Sequence, residues 1–362
     1  MGGLYYHDYL HLDGLLSSQE LESARHGEPA HDELLFVIVH QAYELWFKQI
    51  LFELDSVVDI VGRDFVDDED MGKVVQRLRR IVEIQRLLQP QLDILETMTP
   101  LDFLDFRDHL VPASGFQSWQ FRLIENRMGM RPEQRLDISG ARYTARLSAE
   151  HRTMLERSEA EPNLFDAVER WLARTPFLHF GQFDFWSEYR KSVEGMLASD
   201  REVIVNNPSL SPKERESQLE SFERTAGHFD SLFDAERYRE LVEQGVRRSS
   251  QPAFLAAILI NLYRDEPIMQ LPFRLLQSLM DIDEGFTSWR QRHALMVTRM
   301  IGSKIGTGGT SGYEYLRRSA ERSRVFADLF EVSTFLLPRS QIPKLPPNVR
   351  EKMAFRLEGP SG

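Results

Sequence analysis

From Phe36 the chain reads FVIVHQAYELWFKQILFELDSVV, and stepping by four and three residues picks out Phe36, His40, Tyr43, Phe47, Ile50, Leu54, Val57 and Val61. That spacing is the apolar stripe of a long amphipathic helix, and its only non-apolar member is a histidine. A second stripe follows an acidic turn expected at Asp67 to Asp70. It runs through Met71, Val74, Leu78, Ile81, Leu88, Leu92 and Leu95, with Pro90 expected to kink it. A third stripe, counted from Leu275, gives Leu279, Ile282, Phe286, Trp289, His293, Met296 and Met300, again interrupted by a histidine. Almost every segment has this helical period, and the alternating β-branched runs that build sheets are missing. The expected class is therefore all-α.

With 362 residues and 42% hydrophobic content the chain can bury one large core. No linker forces a boundary, so a single domain over 1–362 is expected, with an N-terminal segment at 1–30 and a peripheral helical insertion at 200–240. The net charge of -12 comes from scattered Asp and Glu, which disfavours a nucleic-acid partner. No run approaches the roughly 20 apolar residues that span a bilayer. MGGLYYHDYLHL lacks the basic region and apolar core of a secretory signal, so the expected location is the cytoplasm. There is no cysteine, which excludes disulfides, thiolate metal sites and a cysteine nucleophile. A bound metal would rest on His, Met, Tyr or carboxylate.

Thr99-Pro100 reads as an N-cap followed by proline at the first helical position, opening LDFLDFRDHL. VPASGFQS breaks that helix and WQFRLIENRMG resumes. The stretches from about Arg131 to Pro162 and from about Asp200 to Glu223 are polar. Within the latter, NNPSLSPKERESQLESFERT reads as a mobile insertion. PAFLAAILINLYR returns to core-like sequence.

A histidine on an apolar stripe is either a hydrogen-bonded core residue or a ligand. Two of them on the longest greasy helices shift the balance toward a flat cofactor held between helices, and neutral imidazole is the usual haem ligand where no thiolate exists. A di-iron bundle needs two E-x-x-H motifs, whereas only Glu28 to His31 matches, interrupted by Pro29. GSKIGTGGTSGYEYLR, residues 302–317, is neither a Walker loop nor a dinucleotide fingerprint. Its glycines allow close approach to a ligand or a plain turn, and Thr307 offers a hydroxyl. Phe103 and Arg107 lie one helical turn apart. They suit a ligand with a carboxylate and a flat apolar part, or equally an arginine lying over a surface ring.

HDELLFVIVHQAYELWFKQILFELDSV, LETMTPLDFLDFRDHLVPASGFQSWQFRLIEN and RHALMVTRMIGSKIGTGGTSGYEYLR resemble, in order, the three signature blocks of the tryptophan 2,3-dioxygenase family. Similarity between the blocks extends the match over nearly the whole chain. The resemblance implies a cytoplasmic homotetramer whose helical bundle holds haem b between long core helices, with the N-terminal segment exchanged between subunits. It implies insertion of both atoms of O2 across the indole C2–C3 bond of L-tryptophan to give N-formylkynurenine. On this resemblance His293 is the proximal iron ligand, with Trp289 beside it, and His40 is the distal histidine that bonds the indole N–H. Phe36 and Phe103 pack the indole, Arg107 clamps the carboxylate, and Thr307 helps bind the ammonium. Ser114 and Gly115 fall in the loop over the haem edge, and Tyr6 and Tyr9 reach into a neighbouring subunit's site. Related haem monooxygenases acting on substituted indoles share such a pocket and form the alternative. A haem-based ligand sensor without turnover is a reading of another class. Arg107, Phe103 and the glycine loop speak against it, since a sensor needs no amino-acid clamp.

Overall fold

The computed structural model describes residues 3–136, 142–175, 179–180, 183–302, 304 and 312–354. Three short helical segments, Tyr6–Tyr9, Leu12–Leu16 and Glu22–Arg25, precede helix α1, Glu33–Val61. In α1 the four-three stripe is the buried face: Tyr43, Phe47, Ile50, Leu54, Val57 and Val61 are all buried. Helix α2, Asp68–Leu95, carries Pro90 inside it without ending there. The acidic residues expected as a turn before α2 instead form its first turn. The Asp67 carboxylate accepts the Asp70 N–H at 2.7 Å, and Asp68, Glu69 and Asp70 sit where the helix dipole favours negative charge.

Helix α3, Pro100–Arg107, begins as its sequence indicates. Thr99 accepts the Asp102 N–H at 3.3 Å while Asp102 accepts the Thr99 N–H at 2.8 Å, a reciprocal cap with proline behind it. Helix α4, Trp119–Met128, starts on a Ser118 cap and ends at Gly129, whose φ of 96° suits a residue without Cβ. There follow α5 (Ala149–Ser158), α6 (Leu164–Ala173), α7 (Phe185–Asn206), α8 (Pro212–Phe233), α9 (Ala235–Glu243), α10 (Gln251–Leu262), α11 (Gln270–Ile301) and α12 (Gly312–Arg322). Among the described residues the only strands are the two-residue pair His179–Phe180 and Phe183–Asp184, so the fold is all-α. No helix among the described residues is long and apolar enough to cross a membrane.

The polar stretch read as a mobile insertion is ordered as two long helices. α7 continues to Asn206, and α8 opens at once on a Ser211 cap, where the Glu214 carboxylate accepts the Ser211 N–H at 2.9 Å and Pro212 takes the first helical position. The Ser-Pro and Asn-Pro content that suggested a loop is confined to this short connection.

The chain packs as two compact units. The first comprises Met1–Ser56, Arg77–Asn163 and Asp281–Val325. In it the Phe121 ring of α4 meets Phe47 at 5.4 Å, Phe286 at 6.1 Å and Trp289 at 5.4 Å, tying α4 to α1 and α11. The buried Gln85 amide of α2 donates to the Ile282 carbonyl of α11 at 3.0 Å. The second unit comprises Val57–Gln76, Leu164–Met280 and Phe326–Gly362. Its centre is α10, buried at Ala253–Ile260 and packed on α6; Tyr189 of α7 donates to the Phe335 carbonyl at 2.5 Å. The Asp328 carboxylate accepts the N–H groups of Arg248 and Ser249 at 2.8 and 2.6 Å.

Two glycine substitutions should act in opposite directions. A Cβ on Gly285 would lie 2.5 Å from the Gln85 amide oxygen, so Gly285→Ala must displace a buried, hydrogen-bonded side chain. It should lower unfolding stability by about 1–3 kcal/mol. A Cβ on Gly72, inside α2, meets nothing within 4 Å, so Gly72→Ala should raise stability by up to about 1 kcal/mol through helix propensity. Urea unfolding of both variants checks the sign; stabilisation by Gly285→Ala would show that α2 and α11 do not pack as described.

Candidate active site

Within the first unit a cavity of about 330 Å³ gathers side chains from six helices, with Leu92 and Leu95 coming from α2. α1 lines it with Phe36, His40, Tyr43, Glu44 and Phe47; α3 adds Phe103 and Arg107, and the following loop adds Ser114, Gly115 and Phe116. α4 supplies Phe121 and Arg122, α11 supplies Trp289, Arg290, His293 and Met296, and α12 supplies Tyr315 and Ser319. The volume lies at the lower end of the roughly 300–1,000 Å³ usual for small-molecule sites. A mostly apolar wall with few convergent polar groups is the form such sites take.

His40 is fixed by its own helix. Its Nδ1 lies 2.7 Å from the Phe36 carbonyl oxygen one turn earlier. A carbonyl only accepts, so the bond assigns the proton to Nδ1 and leaves Nε2 as an acceptor. Burial among the cavity walls pushes the His40 pKa down; the Phe36 carbonyl and the Glu44 charge pull it up and do not prevail. The exposed surface of the ring is cavity wall, so the ring is enclosed by protein although part of it is accessible. His40 is thus a neutral acceptor, and what binds to it must bring a donor.

His293 is neutral for the same first reason: burial, then repulsion toward a second proton charge from the neighbouring His40 imidazole and from Arg290, lower its pKa to about 4. Trp289, one turn before it on α11, stacks on the imidazole with centroids 5.2 Å apart and planes 7° from parallel. The indole N–H of Trp289 donates to the Tyr43 hydroxyl at 3.3 Å, and that hydroxyl donates to the Leu88 carbonyl at 2.5 Å. The ring facing His293 is therefore anchored to α1 and α2. Burial, ahead of the other influences on it, raises the Tyr43 pKa to about 12, so the phenol keeps the proton this relay needs.

Next to His40 the wall is aromatic. Phe36 and Phe103 lie 5.7 Å apart at 33°, and Phe106 closes on each edgewise at 5.6 and 5.4 Å. Arg107 adds a cation whose side chain is 16% exposed; its contact with the largely exposed Asp108 carboxylate is long, at 3.8 Å. Ser114 is held in a small turn where its hydroxyl accepts the Phe116 N–H and its own N–H donates to the Gln117 amide oxygen at 3.1 Å.

A flat aromatic wall, a neutral acceptor, a cation and a second neutral imidazole fit an aromatic amino acid beside a metal-bearing planar cofactor. Sequence comparison points the same way. A profile of the tryptophan 2,3-dioxygenase family matches residues 1–336. The chain belongs to this family. It is 49% identical to a Bdellovibrio bacteriovorus protein named tryptophan 2,3-dioxygenase, over 97% of this chain and 98% of that one. Proteins of the same name from Dictyostelium discoideum and Xenopus laevis are each 47% identical, over 98% and 97% of this chain and 88% and 86% of theirs.

Of the residues singled out in the sequence, Phe36, His40, Phe103, Arg107, Ser114, Gly115, Trp289 and His293 meet at the one cavity. Tyr6 and Tyr9 do not line it: they sit on the short helix Tyr6–Tyr9, 70% and 65% exposed. Thr307 lies outside the described residues. The wall also contains Tyr43, Glu44, Arg122, Arg290 and Tyr315, to which sequence reasoning gave no role. Glu44 carried a usable signal, one turn after His40 on the same face. Its carboxylate accepts from Ser118 at 2.6 Å and Gln120 at 2.8 Å, tying α1 to the start of α4.

Because the His40 pKa lies below 6.5, the ring should stay an acceptor throughout neutral pH and take up its proton only on the acid side of that value. Tryptophan affinity measured between pH 8 and pH 5 should therefore be flat at the alkaline end and fall only below about 6.5. A midpoint above that value would show that the ring is charged in the folded protein and overturn its assignment as acceptor.

Proposed function

We propose that this chain is a haem b-dependent tryptophan 2,3-dioxygenase that inserts both atoms of O2 across the indole C2–C3 bond of L-tryptophan, giving N-formylkynurenine for the kynurenine pathway in the cytoplasm. The observation that carries the reading is the contact of His40 Nδ1 with the Phe36 carbonyl, which leaves Nε2 to accept. An accepting Nε2, next to an aromatic wall and a cation, suits an indole N–H on a flat ring whose other end is a carboxylate. Phe36 and Phe103 pack against the indole, Arg107 pairs with the carboxylate, and Thr307 helps bind the ammonium.

The residues present fit haem. With no cysteine in the chain, the neutral imidazole of His293 would hold the haem iron, and Trp289, anchored through Tyr43, sets the plane of the imidazole. Ser114 and Gly115, on the cavity wall, would border the haem. Haem, when bound, supplies the iron that takes up and activates O2. The chain orients the indole against that centre, accepts its N–H at His40 Nε2 and closes the site with apolar side chains. Both oxygens end in the product, so the electron balance needs no outside reductant.

The N-terminal segment and the oligomer belong to the same reading. Leu4, Tyr5, Tyr6 and Tyr9 are exposed, and α1 carries Leu34, Ile38, Leu45 and Phe52 as a second exposed apolar stripe. Surfaces of this kind suit other copies of the chain in a homotetramer, with Tyr6 and Tyr9 reaching a neighbour's cavity.

Incubation of the ferrous protein with L-tryptophan and 18O2, without added reductant, should give N-formylkynurenine labelled at both new carbonyl oxygens over many turnovers, apart from solvent exchange. A single label with turnover dependent on added reductant would instead favour a monooxygenase, and oxygen binding without product a sensor. His293→Ala should abolish most haem retention, whereas His40→Ala should keep the Soret band and lose rate. Equal haem loss in both would contradict the two assignments. Arg107→Ala should raise KM for tryptophan by an amount equivalent to about 2–5 kcal/mol, since a buried carboxylate loses its partner. An unchanged KM would remove Arg107 from the site.

A further inference from the structure

The cavity wall formed by α4, α11 and α12 carries a buried charge imbalance that the reaction does not use. The Arg122 guanidinium donates to both oxygens of Glu125 at 3.2 and 3.0 Å, Arg290 donates to Glu125 at 2.7 Å, and Arg135 stands 3.9 Å from it. Burial alone would raise the Glu125 carboxyl, but Arg122, Arg290 and Arg135 overcome it and hold its pKa at about 2. The carboxylate is thus ionised, and three guanidiniums facing it leave two positive charges in excess. Of two other carboxylates, Glu159 accepts from Tyr143 at 2.5 Å and pairs with Arg142 at 3.3 Å, while Glu44 is directed to the neutral Ser118 and Gln120 and not to these guanidiniums.

Two of the three cations, Arg122 and Arg290, are themselves cavity wall, whereas Glu125 is not among the lining residues. Arg122 is 8% and Arg290 7% exposed, and the Nε of Arg290 is buried without a hydrogen-bond partner. Excess buried charge with an unsatisfied donor is costly unless an anion completes it. Ser319, which accepts from Arg290 at 3.2 Å, and Tyr315 bring hydroxyls to the same wall.

We propose that the Arg122–Arg290 wall receives a carboxylate, and that this carboxylate is a propionate of the bound porphyrin. The proposal rests on the haem reading. The tryptophan carboxylate is the other possible source of the same chemistry, but Arg107 already supplies a cation beside the aromatic rings that suit the indole. Arg122 and Arg290 thereby fix the porphyrin's rotation in its plane, with Glu125 aligning both guanidiniums from behind.

The test is a Soret titration of the full-length protein, produced without haem, with haem and with haem dimethyl ester, whose propionates are masked. The wild-type chain should bind haem more tightly than the ester by about ten- to a hundredfold, as a charge-assisted pair implies. Arg122→Gln should remove most of that preference and Arg122→Lys should restore part of it. Equal affinities for haem and ester in the wild-type chain, a comparison that needs no variant to fold, would overturn the proposal. So would an Arg122→Gln protein that keeps its haem affinity but loses the preference for tryptophan over tryptamine, because the carboxylate would then belong to the substrate. A chain that gives no Soret band with either porphyrin would fail the haem reading itself, a result distinct from both.

Discussion

The site depends on one backbone hydrogen bond, from His40 Nδ1 to the Phe36 carbonyl. A histidine on the greasy stripe of a helix has two ring nitrogens to satisfy, and the helix satisfies one of them internally. That fixes the tautomer before any ligand arrives, and burial keeps the ring uncharged. The remaining nitrogen can only accept, so the cavity is biased toward a ligand with an N–H donor. The same helix places Phe36 against His40, with ring centroids 4.1 Å apart, so the acceptor and part of the aromatic wall are set by the spacing of one turn.

His293 uses a different device for the same end. Its orientation comes through Trp289, whose indole N–H reaches Tyr43 on α1, whose hydroxyl in turn reaches Leu88 on α2. A stacked ring with a free N–H would leave a buried donor unsatisfied, and the phenol removes that cost while pinning the ring. One imidazole is thus positioned locally and the other by partners from two other helices. Uncharged imidazole is what metal ligation and hydrogen-bond acceptance both require, and burial supplies it in both cases.

The parts that were legible in the sequence are those whose physics is local. The three apolar stripes, the histidines interrupting them, the Thr99 cap and the pairing of Phe103 with Arg107 on one helical face all rest on spacings of three or four residues, and the structure brings Phe36, His40, Phe103, Arg107, Trp289 and His293 to one cavity. The start of α8 was equally local, since Ser211, Pro212 and Glu214 form a capping signature, but the surrounding Asn, Pro and Ser outweighed it. The Arg290–Glu125 pair was not legible, because its members are 165 positions apart and each alone resembles any charged residue on a helix. Nor was Tyr43 readable as more than a core residue, since its role depends on the partner brought by α11.

The register of α11 shows how surface charges support a buried site. An α-helix turns about 100° per residue, so a slip of one position would carry His293 and Trp289 off the cavity wall together. Apolar packing alone resists such a slip poorly, because Met296 and Met300 on the same face are flexible enough to refill many shapes. Flanking that face α11 carries Arg292, which donates to both oxygens of Glu96 at 2.6 and 2.7 Å and to Asp93 at 2.7 Å, and Arg299 reaches Glu96 at 3.3 Å. Isolated exposed ion pairs add little stability. Here, however, the Glu96 side chain is only 9% exposed and the contact is bidentate, so its value lies in direction: a planar guanidinium meets a carboxylate in one geometry and loses it on rotation. The clamp between α11 and the end of α2 therefore fixes, against rotation about the helix axis, the angle at which His293 enters the cavity.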